Sequence, residues 1–363
     1  MTGRPVVPQC TTPRLPSGYS PKPEVSVRHH DLRRSSVTSS VSTHKVLSTA
    51  AGLVVAAAGA ALLNHWLARK AERRNPPRGR FIEVQGVRLH YVERGTGPPL
   101  VLLHGNGSMI EDFQSSGLIE LAARKYRVIA FDRPGFGHSE RPRHITWTPE
   151  AQASLIAAAL EKIEVPSAII LGHSWGTLVA LALGMNYPQQ VKALVLASGY
   201  YYPTARADVV ILSPPAIPVL GDLLSHTVSP LISRLMWPLL LKKIFGPAPV
   251  PKKFEGFPEE MAVRPSQIRA SAAESALMIP AASRLHNEYS QLQMPVAIVA
   301  GAQDRLIESE QAWRLNDDIR QSSLRRVAGS GHMVHQTATA EIMSVIEMVT
   351  DQTDRLVLVP SAA

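Results

Sequence analysis

Cysteine is nearly absent from this chain of 363 residues, and the single one, Cys10, excludes any disulfide within the chain. The sequence also lacks a glycine fingerprint for dinucleotides and any cluster of Cys, His and acidic residues with metal-ligand spacing. We therefore expect no cofactor and no metal. The content of charged residues is 18% and that of hydrophobic residues is 45%, which is typical of a globular protein and not of a disordered one.

The basic excess is confined to one end of the chain. The formal net charge is +9, but residues 1–80 hold 13 basic and 3 acidic residues, whereas residues 81–363 hold 25 basic and 26 acidic ones. The main body is therefore almost neutral. This distribution does not support nucleic-acid binding, which needs a basic face on the folded body.

The first 80 residues divide into three segments. Residues 1–45 are rich in Pro, Ser, Thr and Arg without apolar periodicity, which predicts a disordered basic arm. Residues 46–67 carry no charge and would form a helix about 33 Å long, enough to cross a bilayer. We predict a single transmembrane anchor here. A cleaved signal-type segment and a buried helix of the body remain alternatives.

A basic linker, residues 68–80, follows the predicted anchor. Its six basic residues outnumber the four nearest the other end of the anchor, Arg28, Arg33, Arg34 and Lys45, which under the positive-inside rule weakly favours a cytoplasmic body.

From Phe81 onward, short apolar strands alternate with helices. Strands that are apolar on both faces predict a mostly parallel sheet covered by helices on both sides. Prolines and several helical pieces interrupt this rhythm between the sixth strand and the next, which predicts an inserted helical cap. The predicted divisions are the first part of the core at 81–199, the cap at 200–290, the second part of the core at 291–354 and a tail at 355–363.

The segment Gly172-His173-Ser174-Trp175-Gly176 lies between an apolar strand and a run of good helix formers. Its G-x-S-x-G pattern is typical of a nucleophile elbow, in which larger side chains at the glycine positions would collide across the tight turn. The pattern predicts that Ser174 is a nucleophile at a helix N-terminus. The amide of Trp175 would then point toward developing negative charge.

Two further residues complete a predicted catalytic triad. Asp304 and His332 each follow a predicted strand, and the chain order Ser174, Asp304, His332 is that of elbow-type hydrolases. Because the carboxyl ends of parallel strands share one edge, we expect these side chains to meet as nucleophile, orienting carboxylate and base. Asp132 is a rival acid and His335 a rival base. The neighbouring His173 is expected to serve in packing.

The loop His104-Gly105-Asn106-Gly107 follows another predicted strand. Its glycines would let the backbone approach a substrate, so we predict that the amides of Asn106 and Trp175 form an oxyanion hole. The alternative is an ordinary glycine-rich turn.

Together with the segment from Asp132 to Ser139, these motifs resemble the α/β-hydrolase fold superfamily, in the serine-nucleophile branch related to esterases and cofactor-free haloperoxidases. The resemblance covers about residues 81–352. It implies an eight-stranded, mostly parallel sheet with a helical cap after the sixth strand. Dehalogenases and epoxide hydrolases of this superfamily carry Asp as nucleophile, so Ser174 favours an acyl-enzyme route. The Asn106 side chain resembles the halide-binding asparagine of dehalogenases, which we interpret as incidental beside a serine.

The predicted function is therefore hydrolysis of a hydrophobic carboxylic ester. An acyltransferase or perhydrolase, a carbon–carbon bond hydrolase and a non-catalytic ligand-binding protein of the same fold remain alternatives. Apolar cap residues are expected to line the substrate site, unless they only pack the cap on the body, and residues 239–243 to face a bilayer. The expected lining residues are Val209, Val210, Ile211, Leu212, Ile217, Leu223, Leu231, Leu235, Met236 and Trp237.

Overall fold

The computed structural model describes residues 40–358 of the chain. Most of the predicted arm, 1–45, with Cys10, lies outside the described residues, as does the end of the predicted tail, 355–363. The chain divides into two units, one ending at Gly52 and one beginning at Leu53. Of the first unit, only the helical residues from Ser40 onward are described.

The second unit is built on a single eight-stranded sheet in the order β1-β2-β4-β3-β5-β6-β7-β8. The first two strands are antiparallel to their neighbours, and the other six are parallel to one another. The predicted α/β-hydrolase architecture is thereby confirmed. The strands are β1 Arg80–Val84, β2 Val87–Arg94, β3 Pro99–Leu103, β4 Arg127–Phe131, β5 Ala168–His173, β6 Val191–Ala197, β7 Val296–Gly301 and β8 Ser322–Val327.

Helices cover both faces of this sheet. Within the described residues they are α1 Ser40–Arg74, α2 Ile110–Ser116, α3 Leu118–Ala122, α4 Pro149–Lys162, α5 Trp175–Asn186, α6 Ala207–Leu212, α7 Leu220–His226, α8 Ser229–Phe245, α9 Glu259–Ala262, α10 Pro265–Leu285, α11 Ser309–Asp318, α12 Val334–Thr337 and α13 Thr339–Leu358. Short 3-10 helices lie at Pro188–Gln190, Pro214–Ala216, Lys252–Gly256 and His286–Gln291.

The pleat of the central strands distributes their side chains between two cores. Along β3, Val101 and Leu103 pack in the core that includes α4 and α5, whereas Leu100 and Leu102 pack in the core that includes α3 and α13. This alternation explains why the strand is apolar at every position. All four of these side chains are fully buried.

The predicted cap is present as a helical segment between β6 and β7. It contains α6 to α10 and enters after the sixth strand, as the resemblance implies. Its longest helix, α10, packs against α5 of the core as well as against other cap helices.

The long helix α1 contains a candidate membrane span. Residues Lys45–Arg74 include an 18-residue window of mean hydropathy 2.1, and none of that window is buried. The helix continues seven residues past the predicted end of the anchor at Leu67, so part of the predicted basic linker is helical.

Candidate active site

Ser174 occupies the tight turn between β5 and α5. Its backbone has φ 52° and ψ −119°, a conformation that non-glycine residues adopt at a cost and that clusters at functional sites. A Cβ atom at Gly172 would overlap the carbonyl oxygen of Gly176, and one at Gly176 would overlap that of Leu103. The two glycines of the motif are therefore required for space.

The three side chains of the predicted triad lie in one hydrogen-bonded chain. The Oγ atom of Ser174 is 2.9 Å from Nε2 of His332, and Nδ1 of His332 is 2.8 Å from Oδ2 of Asp304. The side chains of His332 and Asp304 are almost fully buried. With an ionised Asp304 the proton of the neutral ring lies on Nδ1, so that Nε2 accepts the hydrogen of the serine hydroxyl.

The carboxylate of Asp304 is also held from its other side. Its Oδ1 atom accepts hydrogen bonds from the amides of Leu306 and Ile307, at 2.8 and 3.0 Å. Burial by itself raises the pKa of Asp304, but the adjacent His332 and these two amides outweigh burial and hold the pKa below its usual value. Asp304 is therefore ionised at neutral pH and orients the imidazole.

The rival acid and the rival base have other partners. Asp132 binds Nδ1 of His90 at 2.7 Å and accepts the amide of Ile110 at 2.9 Å. Nε2 of His335 lies 2.9 Å from Oδ1 of Asp112. These contacts fix loops behind the site, and neither group hydrogen-bonds to Ser174.

His173 has a contact that the packing prediction did not include. Its Nε2 atom lies 3.1 Å from the backbone oxygen of His332. Burial, and to a lesser extent the neighbouring His335 and His332, lower the pKa of His173 well below its usual value. The ring is therefore neutral and can donate to that oxygen, which positions the backbone of the predicted base.

Both residues of the predicted oxyanion hole line the same cavity as Ser174. Trp175 is the first residue of α5, so its amide has no acceptor within the helix. Among the described residues no hydrogen bond is donated by the amide of Asn106. The Asn106 side chain instead donates to the oxygen of Ser271 and the hydroxyl of Ser275, both on α10 and both at 3.1 Å.

The histidine that opens this loop has a structural position. His104 is fully buried, its Nδ1 donates to the oxygen of Gly105 at 2.8 Å, and its Nε2 accepts the amide of Arg133 at 3.0 Å. Burial, followed by the charge of Arg133, lowers the pKa of His104 to about 3. The ring is therefore neutral, and it joins the loop to the turn after β4.

Arg133 is a fully buried residue for which no role was predicted from the sequence. Its Nε and Nη2 atoms donate to the oxygens of His104 and Gly105 at 2.7 and 2.9 Å. Its Nη1 donates to Gln152 at 2.9 Å, and both Nη atoms bind the carboxylate of Glu274 on α10. All five donors of the guanidinium are thus used. In the sequence, only the presence of a single acidic residue in an alanine-rich stretch distinguishes Glu274 as a candidate for such a buried ion pair.

The described residues include one set with the composition of a metal site. Asp112, His173 and His335 are buried and place ligating atoms within 4.8 Å of one another. The carboxylate of Asp112, however, already accepts hydrogen bonds from Ser108, His335 and Gln336. We interpret this set as a hydrogen-bond network behind Ser174.

The cavity over Ser174 has a volume of about 210 Å³ and mostly apolar walls. Of the ten cap residues predicted to line it, Val209, Leu212 and Trp237 do so. The prediction was wrong for the other seven, because their side chains are not in the wall. Those seven are Val210, Ile211, Ile217, Leu223, Leu231, Leu235 and Met236, and most of them are strongly exposed.

Charged groups at the cavity wall are paired. Arg206 binds the carboxylate of Asp208 through Nε, at 3.0 Å, and also through Nη2. A larger groove of about 670 Å³ contains none of the five predicted site residues, so its size does not mark it as the reaction site.

Comparison with known proteins identifies the family. The family model of the alpha/beta hydrolase fold matches residues 98–339, which is more than half of the chain. The chain therefore belongs to the alpha/beta hydrolase fold family.

Relatives of known activity include hydrolases from Pseudomonas. A 2-hydroxymuconate semialdehyde hydrolase of Pseudomonas sp. (strain CF600) is 34% identical over 39% of this chain and 51% of its own length. A 2-hydroxy-6-oxo-2,4-heptadienoate hydrolase of Pseudomonas putida is 27% identical over 70% of this chain and 90% of its own. The chain thus spans about half of the first relative and most of the second. Both likenesses support a hydrolase.

Among solved structures, a membrane phospholipase A described as a bacterial virulence factor has a TM-score of 0.60 at 21% sequence identity. The match covers 86% of this chain and 98% of that one. At this level of identity the likeness supports the fold.

Replacing Gly176 by alanine should destabilise the protein by about 1–3 kcal/mol, because the new methyl group would be forced against the backbone of Leu103. Thermal unfolding of the purified variant measures this. Gly256→Ala is the matched control, since a Cβ there would make only an ordinary contact. Equal melting temperatures for the two variants would contradict the steric requirement.

Replacing Arg133 by methionine should lower the free energy of unfolding by about 3–5 kcal/mol, because the buried charge of Glu274 loses its partner. The double variant Arg133→Met/Glu274→Met should be less destabilised than the single one, since it leaves no unpaired charge. Denaturant unfolding of both variants checks this. A double variant as unstable as the sum of the two single variants would contradict the pairing.

Proposed function

We propose that this protein is a serine hydrolase that cleaves hydrophobic carboxylic esters through an acyl-enzyme intermediate. The observation that carries the proposal is the hydrogen-bonded chain from Ser174 through His332 to Asp304 beneath an apolar cavity. A hydroxyl bonded to a neutral imidazole, itself held by a carboxylate, is the arrangement that activates serine toward carbonyl carbon.

In the proposed first half-reaction, Oγ of Ser174 attacks the ester carbonyl while its proton passes to Nε2 of His332. Asp304 stabilises the imidazolium that forms. The amides of Asn106 and Trp175 donate to the oxyanion of the tetrahedral intermediate. When this intermediate collapses, the bond to the alcohol oxygen breaks and His332 returns the proton to the leaving alcohol.

In the second half-reaction, water replaces the alcohol. His332 takes a proton from the water as its oxygen attacks the acyl carbon, and the same two amides hold the second oxyanion. Collapse releases the carboxylic acid and restores the hydroxyl of Ser174. The chain of hydrogen bonds serves both directions of proton transfer without moving the base.

The cavity favours an uncharged, apolar substrate. Its walls include Leu212, Trp237, Leu240 and Phe257, and the guanidinium of Arg206 is already neutralised by Asp208. A substrate carboxylate would therefore have to compete with Asp208 for the cation. Apolar groups gain about 0.8 kcal/mol for each methylene removed from water.

A carbon–carbon bond hydrolase is the second candidate. The Pseudomonas relatives are hydrolases of 2-hydroxymuconate semialdehyde and of 2-hydroxy-6-oxo-2,4-heptadienoate, and the same triad would serve such a reaction. The name of the second relative specifies a dienoate, which carries a carboxylate. The paired state of Arg206 favours the ester over such an acid.

We further propose that residues 46–67 anchor the protein as a single membrane span, as their length and hydropathy favour. The six basic residues at 68–80, compared with four at 28–45, favour a catalytic body on the cytoplasmic side.

Ser174→Ala should abolish covalent labelling by a fluorophosphonate probe and reduce kcat for p-nitrophenyl esters on the order of 10⁶-fold. Asp304→Asn should cost about 10⁴-fold, because the imidazole would lose the carboxylate that fixes its tautomer. In-gel fluorescence and initial rates measure both effects. Ser344→Ala, at an exposed serine of α13, is the control and should label normally. Labelling that persists in Ser174→Ala would refute the assignment of the nucleophile.

Across p-nitrophenyl esters, kcat/KM should rise about fourfold for each added methylene until the cavity is full. A 2-hydroxy-6-oxo-dienoate should be turned over far more slowly, and Asp208→Asn should raise its kcat/KM by freeing Arg206. Steady-state kinetics of the wild type and this variant separate the two candidates. A wild type that prefers the dienoate would favour the carbon–carbon hydrolase.

A further inference from the structure

The cap carries an exposed apolar surface that the proposed reaction does not use. On α8, six large side chains recur at i, i+4 and i+8, which places them on one side of the helix. We call the exposed apolar residues of α6 to α8 and their connections the cap face. They are Val210, Ile211, Leu212, Ile217, Val219, Leu220, Leu223, Val228, Leu231, Ile232, Leu235, Met236, Leu239 and Leu240, with exposed fractions from 44% to 82%.

These residues are not exposed because α8 lacks packing against the body of the protein. The opposite side of α8 already packs inward, since Trp237, Leu241 and Ile244 contact the cluster that contains Phe254 and Phe257. The helix is therefore apolar on both sides, inside and out. Exposed apolar patches of this kind mark contacts with another apolar phase or partner.

The charged residues of α8 indicate the kind of partner that covers this surface. Helix α8 contains no acidic residue, and its charged residues are Arg234, Lys242 and Lys243. A helix with an apolar side and basic residues is the composition that lies in the interface of an anionic bilayer.

The candidate membrane span is bonded to this same part of the cap. Asn64, in the last part of the predicted span, is buried, and its Nδ2 donates to the backbone oxygens of His226 and Thr227 at 2.9 and 2.7 Å. Arg234 donates to its Oδ1 at 3.4 Å. These contacts lie where α7 ends and α8 begins. The cap face therefore begins where the span would leave the membrane.

The cap face also reaches the candidate active site. Leu212 and Leu240 belong to the exposed surface and at the same time to the wall of the cavity over Ser174. These two residues therefore border both the cavity and the surface of the cap.

From these observations we propose that the cap face lies in the near leaflet of the bilayer that α1 spans, and that esters dissolved in that leaflet enter the cavity past Leu212 and Leu240. The substrate class is thus a lipid ester, which rests on the proposed function. The docking of the cap does not rest on it. A second copy of the chain is the competing occupant of this surface.

The first test locates the cap face by fluorescence. In the full chain, Cys10→Ser removes the only cysteine, so Leu235→Cys can be labelled alone with an environment-sensitive fluorophore. Met348→Cys is the control, an exposed apolar position on α13. Both are reconstituted in vesicles of phosphatidylcholine and phosphatidylglycerol with nitroxide-labelled lipids.

The emission of the label at residue 235 should be blue-shifted, and the nitroxide lipids should reduce its intensity to about half or lower. The reason is that interfacial helices insert about 5–10 Å into the boundary between headgroups and acyl chains. The label at residue 348 should be unaffected. Equal quenching at both positions would overturn the docking. So would a blue shift at residue 235 that ignores the nitroxide lipids and varies with the protein-to-lipid ratio, because that result indicates a second copy.

The second test measures entry from the lipid. Leu231→Gln/Leu235→Gln changes the cap face outside the cavity wall, and Trp313→Gln/Met348→Gln is the matched control at exposed residues outside the cap. The first variant should hydrolyse a long-chain fluorogenic ester held in vesicles about tenfold more slowly, through lost apolar contact with lipid. Its rate on p-nitrophenyl acetate in solution should not change.

The two tests distinguish the possible failures. Equal vesicle rates for both double variants would overturn entry from the lipid, even if esters in solution are cleaved. A wild type that cleaves no ester in either form would overturn the proposed function and with it the lipid-ester substrate, whereas the fluorescence result would still decide the docking of the cap.

Discussion

The buried guanidinium of Arg133 is the contact on which the geometry of the site depends. It binds the backbone of the His104–Gly105 segment, Gln152 of α4 and Glu274 of the cap helix α10. One cation therefore fixes the predicted oxyanion loop to both the core and the cap. Because its five donors are all satisfied, it is held without the cost of an unpaired buried charge. The Asn106 side chain adds a second link between the same loop and α10.

The positions of residues that depend on local backbone geometry or on the order of strands in the sheet could be predicted from the sequence. The glycines at 172 and 176 identify a turn with no room for a side chain, and the apolar strands indicate a parallel sheet whose carboxyl ends share an edge. With the chain order and the positions of Asp304 and His332 just after predicted strands, these features predict that both side chains meet Ser174 at one edge of the sheet. Their assignment to catalysis remains a prediction, which the hydrogen-bonded geometry supports.

The rest depends on contacts between distant parts of the chain. The partners Arg133 and Glu274 are 141 residues apart, and Asp112 and His335 are 223 apart, so no local pattern links them. The cap shows a different limit. The hydrophobic residues of its helices could be recognised from the sequence, but not which of them face the interior of the protein. Seven of the ten residues expected in the cavity are instead exposed on the surface of the cap.

The bond between Asn64 and the α7–α8 junction has a mechanical consequence. A catalytic body on a loose tether could swing and sample ligands at many heights and angles above its membrane. Here the helix is continuous from Leu53 to Arg74, and the hydrogen bonds of Asn64 attach it to the cap. The connection between this helix and the body therefore has no flexible joint. If residues 46–67 span a bilayer as proposed, this rigid connection would hold the body at one height and orientation above that bilayer, so that molecules on a facing membrane would stay out of its reach.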